Sequence, residues 1–234
     1  MIKPFKVAKL NINGLRSTTK MRMLNDFLRR QDIDVALLQE VTHNDLDSFR
    51  GCLAIVNEGT TKKGTAMIIK EGLSICNIKR LPPGRGIAGM FKDIWLKHIY
   101  APSGAENRHE REAFFTNDIT YLLPANTTEM LLAGDFNCVV SPKDCTAKPN
   151  FSKASLSPIK GMALHDIWET QAQRPKYTHY TNGGATRRDR ISTTDSLQNH
   201  KQGAEKIATV FSDLFAVIAR MTYASHCILR RSMI

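Results

Sequence analysis

The sequence predicts an α/β fold in which two β-sheets pack face to face and helices lie outside them. Many short apolar runs have strand length and composition, and Gly, Pro or Lys residues separate them. Only a few longer stretches have helical periodicity. The composition does not shift along the 234 residues, and there is no internal repeat. We expect one layered domain over residues 1–224 and a tail or the start of a linker at 225–234, although the length also allows two small domains.

The N-terminal part combines strands with one helix. Lys6–Ile12 is an apolar run with mild alternation, which indicates a strand. Ser17 or Thr18 is a suitable N-cap for a helix that runs to about Gln31 with one apolar face. Asp34–Gln39 is short and almost continuously apolar, as expected of a central buried strand. Further strands are predicted at Cys52–Val56, Thr65–Lys70, Leu73–Lys79, Ile87–Phe91 and Ile94–Tyr100.

The C-terminal half shows the same mixture of elements. Glu106–Leu123 has helical periodicity and is stopped by Pro124. Met130–Ala133 has the pattern of a buried strand and leads directly into Gly-Asp-Phe-Asn. Ala154–His165 has a helical composition, but Pro158 within it costs about 3 kcal/mol if it lies inside a helix. The final strands are predicted at Tyr177–Tyr180, Asp189–Thr193, Lys206–Phe211 and Phe215–Met221.

The chain carries an excess of positive charge. Lys and Arg total 33 against 22 Asp and Glu, so the formal net charge is +11 and the isoelectric point is near 9.6. A field of this sign attracts polyanions in a salt-dependent way. Nucleic acid is therefore favoured as a partner over an acidic membrane surface. A basic surface that serves only solubility is the alternative.

Other features of the composition disfavour several classes of protein. No apolar run approaches the ~20 residues that span a bilayer, so no membrane partner is expected. The first residues lack the apolar core of a secretory signal. The five cysteines are odd in number and none are spaced as Cys-x-x-Cys, which disfavours structural zinc and a disulfide framework. Together these features predict reduced thiols and a location in the cytoplasm and nucleus.

Polar residues follow four of the predicted strands, at the positions where binding loops commonly lie on a rigid scaffold. One such strand end is more typical of a turn than of a site. Four of them in one basic α/β chain favour a functional site. They are Asn11-Ile12-Asn13-Gly14, Gln39-Glu40, Gly134-Asp135-Phe136-Asn137 and Ser212-Asp213.

The residue types at these strand ends suit phosphodiester hydrolysis. This reaction needs a divalent ion, a group that activates or orients water, and donors that hold the phosphate in line. Mg²⁺ prefers few carboxylates plus water, so Glu40, Asp213 and the nearby Asn13 are its candidate ligands, with Mn²⁺ as an alternative ion. Asp135 can position or deprotonate water. Candidate phosphate contacts are Asn11, Asn137 and Tyr100, of which Tyr100 is alternatively a half-buried strand aromatic.

Five segments in a fixed order, LNINGL, LLQE, IYAP, LLAGDFN and a terminal SD, carry a resemblance to a known family. Over residues 5–221 the chain resembles the exonuclease–endonuclease–phosphatase superfamily, and within it the apurinic-type endonuclease domain of non-LTR (LINE-type) retrotransposons. The resemblance implies a DNase I-like, four-layered α/β sandwich of two packed mixed sheets flanked by helices. It also implies Mg²⁺-dependent nicking of one DNA strand to prime reverse transcription, with a reverse transcriptase domain in the same polyprotein.

The resemblance also assigns roles to single residues. It implies that a carboxylate ligates Mg²⁺, that another acts on the attacking water, and that amide and phenol groups hold the phosphate. A further aspartate orients a catalytic histidine, which is expected directly after the terminal Ser-Asp. By this resemblance, Glu40 ligates Mg²⁺ and Asp135 acts on the attacking water. Asn11, Asn137 and Tyr100 hold the phosphate, and Asp189 orients the histidine.

The chain departs from the family pattern near its end. Leu214 follows Asp213 where the family has histidine, and loss of general acid–base help typically lowers the rate by ~10²–10⁴-fold. Arg188 and Ser192 stand where apolar and aromatic residues are usual, and a buried unpaired guanidinium costs on the order of 3–5 kcal/mol. We therefore expect impaired activity in this copy. The alternatives are an inactive DNA-binding relative, another phosphatase or phosphodiesterase such as a sphingomyelinase, and a repair endonuclease for abasic sites.

A turn signal over Thr181–Thr186 predicts a hairpin that probes DNA in the resembling domains. Basic residues follow this hairpin and also punctuate earlier loops. Charges of this kind position DNA through its phosphates without reading bases. The expected DNA contacts are Asn182, Gly183, Arg187, Arg190, Lys62 and Lys63.

Overall fold

The computed structural model describes residues 4–15, 17–41, 49, 51–60, 64–122, 129–146, 163–168 and 177–222. Within these ranges the helical elements are α1 (Thr18–Arg30), α2 (Arg108–Ala113), α3 (Ile119–Tyr121) and α4 (Asp195–Gln198), with a π-helical turn at Phe114–Asp118 and a 3-10 turn at Pro142–Asp144. The strands are β1 (Phe5–Asn11), β2 (Val35–Val41), β3 (Cys52–Asn57), β4 (Gly64–Lys70), β5 (Cys76–Leu81), β6 (Gly86–Phe91), β7 (Ile94–Tyr100), β8 (Met130–Asp135), β9 (Leu164–Asp166), β10 (His179–Thr181), β11 (Gly184–Thr186), β12 (Asp189–Thr194), β13 (Lys201–Ile207) and β14 (Ala216–Met221).

The strands form two six-stranded sheets and a separate hairpin of β10 and β11. The first sheet has the order β13-β14-β1-β2-β4-β3, and the second has the order β5-β6-β7-β8-β12-β9. Each sheet contains one parallel pair, β1 with β2 and β7 with β8, while the other neighbours are antiparallel. Both sheets are therefore mixed, as the predicted fold class requires.

The main core lies between the two sheets, and helices cover their outer faces. Leu24 and Leu28 of α1 are buried against the first sheet. Phe114 and Phe115 of the π-helical turn are buried against the second sheet. This arrangement gives helix, sheet, sheet and helix in succession, which confirms the four-layered α/β sandwich. Strand residues of the central layer include Val7, Leu37, Leu96 and Leu131.

The first helix forms as its sequence predicts. Ser17 is the N-cap, and its Oγ accepts a hydrogen bond from the Lys20 backbone N–H at 3.5 Å. The helix ends at Arg30, and the positive charge of Arg29 and Arg30 in its last turn interacts favourably with the helix dipole. The helix places the next strand, β2, parallel to β1.

Several predicted boundaries are wrong. The strand predicted at Leu73–Lys79 begins only at Cys76, and the helix predicted from Glu106 begins at Arg108. The prediction of Lys206–Phe211 as a strand is wrong, because the strand is β13 and the chain turns after it. β13 is an edge strand with exposed polar side chains, so it lacks the apolar run on which the prediction relied.

Other predictions fall wholly or partly outside the described residues. The end of the segment with helical composition forms the strand β9, whereas Pro158 and most of that segment are not described. The predicted tail at 225–234 is also not described. Among the described helices, none is long and apolar enough to cross a membrane.

Candidate active site

The two parallel strand pairs bring the predicted site residues to one edge of the sandwich. Asn11 ends β1 opposite Gln39, and Glu40 follows on β2. In the other sheet, Tyr100 at the end of β7 lies opposite Asp135 at the end of β8, and Asp135 lies opposite Asp189. Parallel neighbouring strands end on the same side of a sheet, so the C-terminal residues of each pair lie side by side at that edge.

A hydrogen-bond network joins these residues across the two sheets. The Asn11 Nδ2 atom donates to Glu40 Oε1 at 2.9 Å and approaches Asp135 Oδ2 at 3.4 Å. The Tyr100 hydroxyl donates to the same Glu40 oxygen at 3.2 Å. Two carboxylates from opposite sheets therefore converge on one amide. Asn11, Tyr100 and Asp135 are buried, whereas Glu40 is half-buried and open to a ligand.

The chain makes the same kind of turn after β1 and after β8, where Asn11, Asn13 and Asn137 lie. The Asn13 backbone N–H donates to Asn11 Oδ1 at 3.0 Å, and the Asn137 N–H donates to Asp135 Oδ1 at 2.9 Å. Each is a side-chain turn in which the third residue takes a left-handed conformation, with φ of 47° at Asn13 and 48° at Asn137. Asn tolerates this conformation better than most residues, which explains Asn at both positions.

A further left-handed residue and a glycine fix the site geometry. Glu40 has φ of 58°, which is uncommon for Glu and typical of a residue held by its surroundings at a functional site. Position 134, just before Asp135, requires glycine, because a Cβ atom there would lie 2.0 Å from the Ile99 carbonyl oxygen. The Asn137 side chain is also anchored, since its Nδ2 donates to the Ala101 carbonyl oxygen at 2.8 Å.

Tyr100 is held as a neutral phenol. Burial raises its pKa above the ordinary value, and the negative charges of Glu40 and Asp135 act in the same direction. The Arg85 guanidinium lies 5.6 Å from the centre of the Tyr100 ring and is itself held by Glu110 at 3.0 Å. A protonated hydroxyl in this position can donate a hydrogen bond to an anionic ligand.

A buried polar layer lies between the sheets beneath the site. The Lys9 ammonium of β1 contacts the Asp189 carboxylate of β12, and the Gln39 side chain of β2 contacts His98 of β7. All four side chains are fully buried. Burial lowers the pKa of Lys9 to about 8, while Asp135 and Glu40 oppose this shift. Burial also lowers the pKa of His98 well below its ordinary value.

Sequence reasoning missed Lys9 and His98. Both stand in runs that are predicted as strands on their apolar character, and neither belongs to a recognisable motif. A signal was present, because a lysine or histidine within a central buried strand has no access to water and needs a partner. The resemblance implies that Asp189 orients a histidine, but in this chain its contact is Lys9.

The loop after β13 brings Asp213 to the same edge. The Ser212 hydroxyl donates to the Asn11 carbonyl oxygen at 2.7 Å and accepts from the Leu214 N–H at 3.1 Å. This fixes the loop to the end of β1. Asp213 is exposed and Leu214 is half-buried, so the position expected to carry an imidazole presents an aliphatic side chain.

A family model described as "Endonuclease/Exonuclease/phosphatase family" matches residues 10–213, which include Asn11, Glu40, Asp135 and Asp213. The chain belongs to the endonuclease/exonuclease/phosphatase family. The match begins one residue before the first site loop and ends at Asp213. Membership of this family is consistent with a nuclease or phosphodiesterase site at the joined strand ends.

This family member is similar to a transposon protein and to DNA-processing enzymes. It is 24% identical over 240 residues to the Transposon TX1 uncharacterized 149 kDa protein of Xenopus laevis, covering 93% of the chain but only 18% of that relative. A 3′ phosphatase from Neisseria, solved with a product DNA hairpin, superposes with a TM-score of 0.76 at 17% identity and covers 94% of this chain and 100% of that chain. An AP endonuclease from Leishmania major gives a TM-score of 0.76 at 15% identity, with 94% and 88% covered. These structures establish the DNase I-like fold.

The donor set at the site suits a hard cation that keeps most of its water. Within the ranges that the structure describes, no group of three or more His, Cys, Asp and Glu side chains is arranged to hold a metal ion. Glu40 offers a half-buried carboxylate beside Asp135, and both are oxygen ligands of the kind that Mg²⁺ takes in small number. Asn13 and Asp213, the other predicted ligands, are exposed.

The basic residues near the hairpin differ in their availability for DNA. Asn182 and Gly183 are exposed at the turn between β10 and β11, as a contact requires. Arg190 is buried and pairs with Asp144 and Asp166, so its charge serves an internal ion-pair cluster and does not fit the predicted DNA contact.

The other basic residues considered for DNA contact are half-buried or lie outside the described residues. Arg187 is half-buried and joins the same cluster, with Asp144 at 2.8 Å and Asp166 at 3.0 Å. Arg188 is also half-buried, so the cost expected for a guanidinium in the core does not arise. Lys62 and Lys63 lie outside the described residues.

Proposed function

We propose that this domain is a Mg²⁺-dependent endonuclease that nicks DNA and primes retrotransposition, with impaired activity in this copy. The observation that carries the proposal is the convergence of Glu40 and Asp135 from opposite sheets on Asn11, with the Tyr100 hydroxyl in the same network. This arrangement offers carboxylates for a metal and for water beside neutral donors for a phosphate.

Each residue has a role in the proposed reaction. Glu40 holds Mg²⁺, assisted by Asn13 and Asp213, and the ion supplies charge neutralisation at the phosphate when bound. Asp135 orients the attacking water and accepts its proton. Asn11, Asn137 and Tyr100 donate hydrogen bonds to the phosphate oxygens. Asp189 contributes through Lys9, which lies close enough to Asp135 and Glu40 for their charges to act on its pKa.

DNA is the substrate that fits the whole chain. The net charge of +11 favours a polyanion. The similarity to a transposon protein and to enzymes solved with DNA or titled as AP endonucleases supports the same choice. The resemblance to LINE-type endonuclease domains implies a reverse transcriptase domain in the same polyprotein, and the chain spans 18% of the transposon relative.

An inactive DNA-binding relative is the second candidate, and Leu214 favours it. An aliphatic side chain can neither transfer a proton nor donate a hydrogen bond to the phosphate. Loss of such a group lowers rates by ~10²–10⁴-fold and can silence an enzyme. The two candidates share DNA binding and differ in turnover.

The test is conversion of supercoiled plasmid to the nicked circle in the presence of Mg²⁺. We expect slow nicking that EDTA abolishes and that falls roughly 100-fold or more in Glu40→Gln. Glu71→Gln is the matched control, because Glu71 is an exposed carboxylate in the turn after β4 and should leave the rate unchanged. Plasmid binding without nicking at any metal concentration would favour the inactive relative. Hydrolysis of a phospholipid headgroup without nicking would overturn both.

A further inference from the structure

The β10 strand holds a histidine, outside the predicted motifs, beside the loops that carry Asp135 and Asp213. His179 is the first residue of β10 and is half-buried. It pairs with Thr186 across the hairpin, just before the segment that leads into Asp189. The hairpin belongs to neither sheet, and a backbone hydrogen bond from the Thr146 N–H to the Ala185 carbonyl oxygen at 3.0 Å holds its second strand. Side-chain contacts fix its first strand.

One set of contacts fixes β10 to the start of β12. The Thr178 side-chain oxygen accepts hydrogen bonds from the backbone N–H groups of Arg188 and Asp189, both at 3.2 Å. The Arg188 carbonyl oxygen in turn accepts from the Phe136 N–H at 2.9 Å. Thr178 is fully buried. The residue before His179 is therefore anchored beside the loop that carries Asp135.

A second set of contacts fixes β10 to the loop that carries Asp213. The Tyr180 ring lies 5.6 Å from the Phe215 ring. The Lys206 ammonium lies 4.3 Å from the centre of the Phe215 ring and donates to the Tyr180 hydroxyl at 3.1 Å and to the Tyr177 carbonyl oxygen at 2.9 Å. The residue after His179 is thus anchored beside Leu214.

Two charges of the proposed site act on His179 together with that of Arg188. Burial and the Arg188 guanidinium lower the pKa of His179, while Asp135 and Asp213 raise it, and the net direction is down. The other described histidines do not share this position. His98 is fully buried beneath the site, His109 is exposed on α2, His165 of β9 contacts Asp195, and His200 lies just before β13.

We propose that His179 replaces in part the imidazole that Leu214 does not supply, by donating a ring N–H to a non-bridging oxygen of the scissile phosphate. This inference rests on the proposed nuclease function. Water attacks phosphorus and gives its proton to Asp135, while the bond from phosphorus to the leaving deoxyribose oxygen breaks and that oxygen takes a proton from solvent. His179 stabilises the developing negative charge and undergoes no net proton transfer.

The test compares nicking rates of the folded chain, of His179→Ala and of the control His109→Ala, with Mg²⁺ throughout. We expect a loss of roughly 10–100-fold in His179→Ala and no change in His109→Ala, since an oriented donor to a developing oxyanion is worth about this much. Added imidazole should restore part of the rate in His179→Ala only. Leu214→His placed in the His179→Ala background should restore nicking as well.

Each outcome decides between this inference and the function on which it rests. Equal rates in the parent and His179→Ala overturn the role of His179 but keep the nuclease. An inactive parent with an active Leu214→His variant leads to the same conclusion. If His179→Ala is slow but neither imidazole nor Leu214→His restores it, the residue has only a structural role. Absence of nicking in every folded variant overturns the nuclease function itself.

Discussion

The Lys9 ammonium on β1 contacts the Asp189 carboxylate on β12, across the interface between the two sheets. Both side chains are inaccessible to water, so the attraction between their opposite charges offsets the solvation that each loses on burial. The pair lies directly beneath the network of Asn11, Glu40 and Asp135 and ties the two halves of the proposed site together. Its role in the molecule is therefore testable by stability as well as by activity.

Removal of either partner should destabilise the fold by about 3–5 kcal/mol, because it leaves an uncompensated charge in the core. We expect this from Lys9→Met and from Asp189→Leu, measured by urea unfolding. The double variant Lys9→Met/Asp189→Leu should lose much less than the sum of the two. Additive losses would show that the two side chains do not interact.

Lys97 should be a source of instability that is separate from the site. Its Nζ atom is buried without a hydrogen-bond partner, and its ladder neighbours Ala88 and Leu132 place it on the outer face of the second sheet. Burial lowers its pKa to about 7. We expect Lys97→Met to raise the free energy of unfolding by about 2 kcal/mol at pH 7 and to leave nicking unchanged.

The same substitution gives a defined pH dependence. Between pH 7 and the ordinary lysine pKa of about 10.4, the unfolded chain binds a proton that the folded chain has released, so parent stability rises with pH. The advantage of Lys97→Met should therefore shrink across this range. Lys143→Met, at an exposed lysine, should show neither effect. An advantage that grows with pH would contradict the assignment.

His98 should make the fold sensitive to acid. Its Nδ1 atom is buried without a hydrogen-bond partner, and burial lowers its pKa well below 6.5. Below pH 6.5 the unfolded chain gains a proton that the folded chain does not, so stability falls by up to about 1.4 kcal/mol per pH unit from this group. The slope should be smaller in His98→Leu and unchanged in His109→Leu. Identical slopes in all three proteins would show that His98 titrates freely.

Gly134 should be intolerant of any side chain. A Cβ atom there would meet the Ile99 carbonyl oxygen at 2.0 Å, and this contact is with backbone that cannot move aside without disturbing β7. We expect Gly134→Ala to cost about 3 kcal/mol or more. Gly203→Ala is the control, because nothing lies within 4 Å of its Cβ position. Similar melting temperatures for the two variants would contradict the close packing of β7 and β8.

The sequence allowed the fold class and part of the site to be predicted because both depend on local patterns. Apolar runs marked the central strands, and the polar residues that end β1, β2 and β8 meet because those strands end at one edge. Residues whose role depends on distant partners were not predictable in this way. Arg190 has the sequence context of a free charge, whereas its partners Asp144 and Asp166 are supplied by the 3-10 turn and β9. His179 likewise has no motif around it, and contacts of its neighbours Thr178 and Tyr180 with distant segments place it beside the loops that carry Asp135 and Asp213.

The most direct test of the central claim is the nicking rate of Leu214→His relative to the parent chain, on supercoiled plasmid with Mg²⁺. If the joined strand ends form a nuclease site that lacks one imidazole, the variant should nick roughly 10–100-fold faster, with both rates abolished by EDTA. A correctly folded variant that nicks no faster than the parent would contradict the account. Position 214 would then not be the missing part of the site.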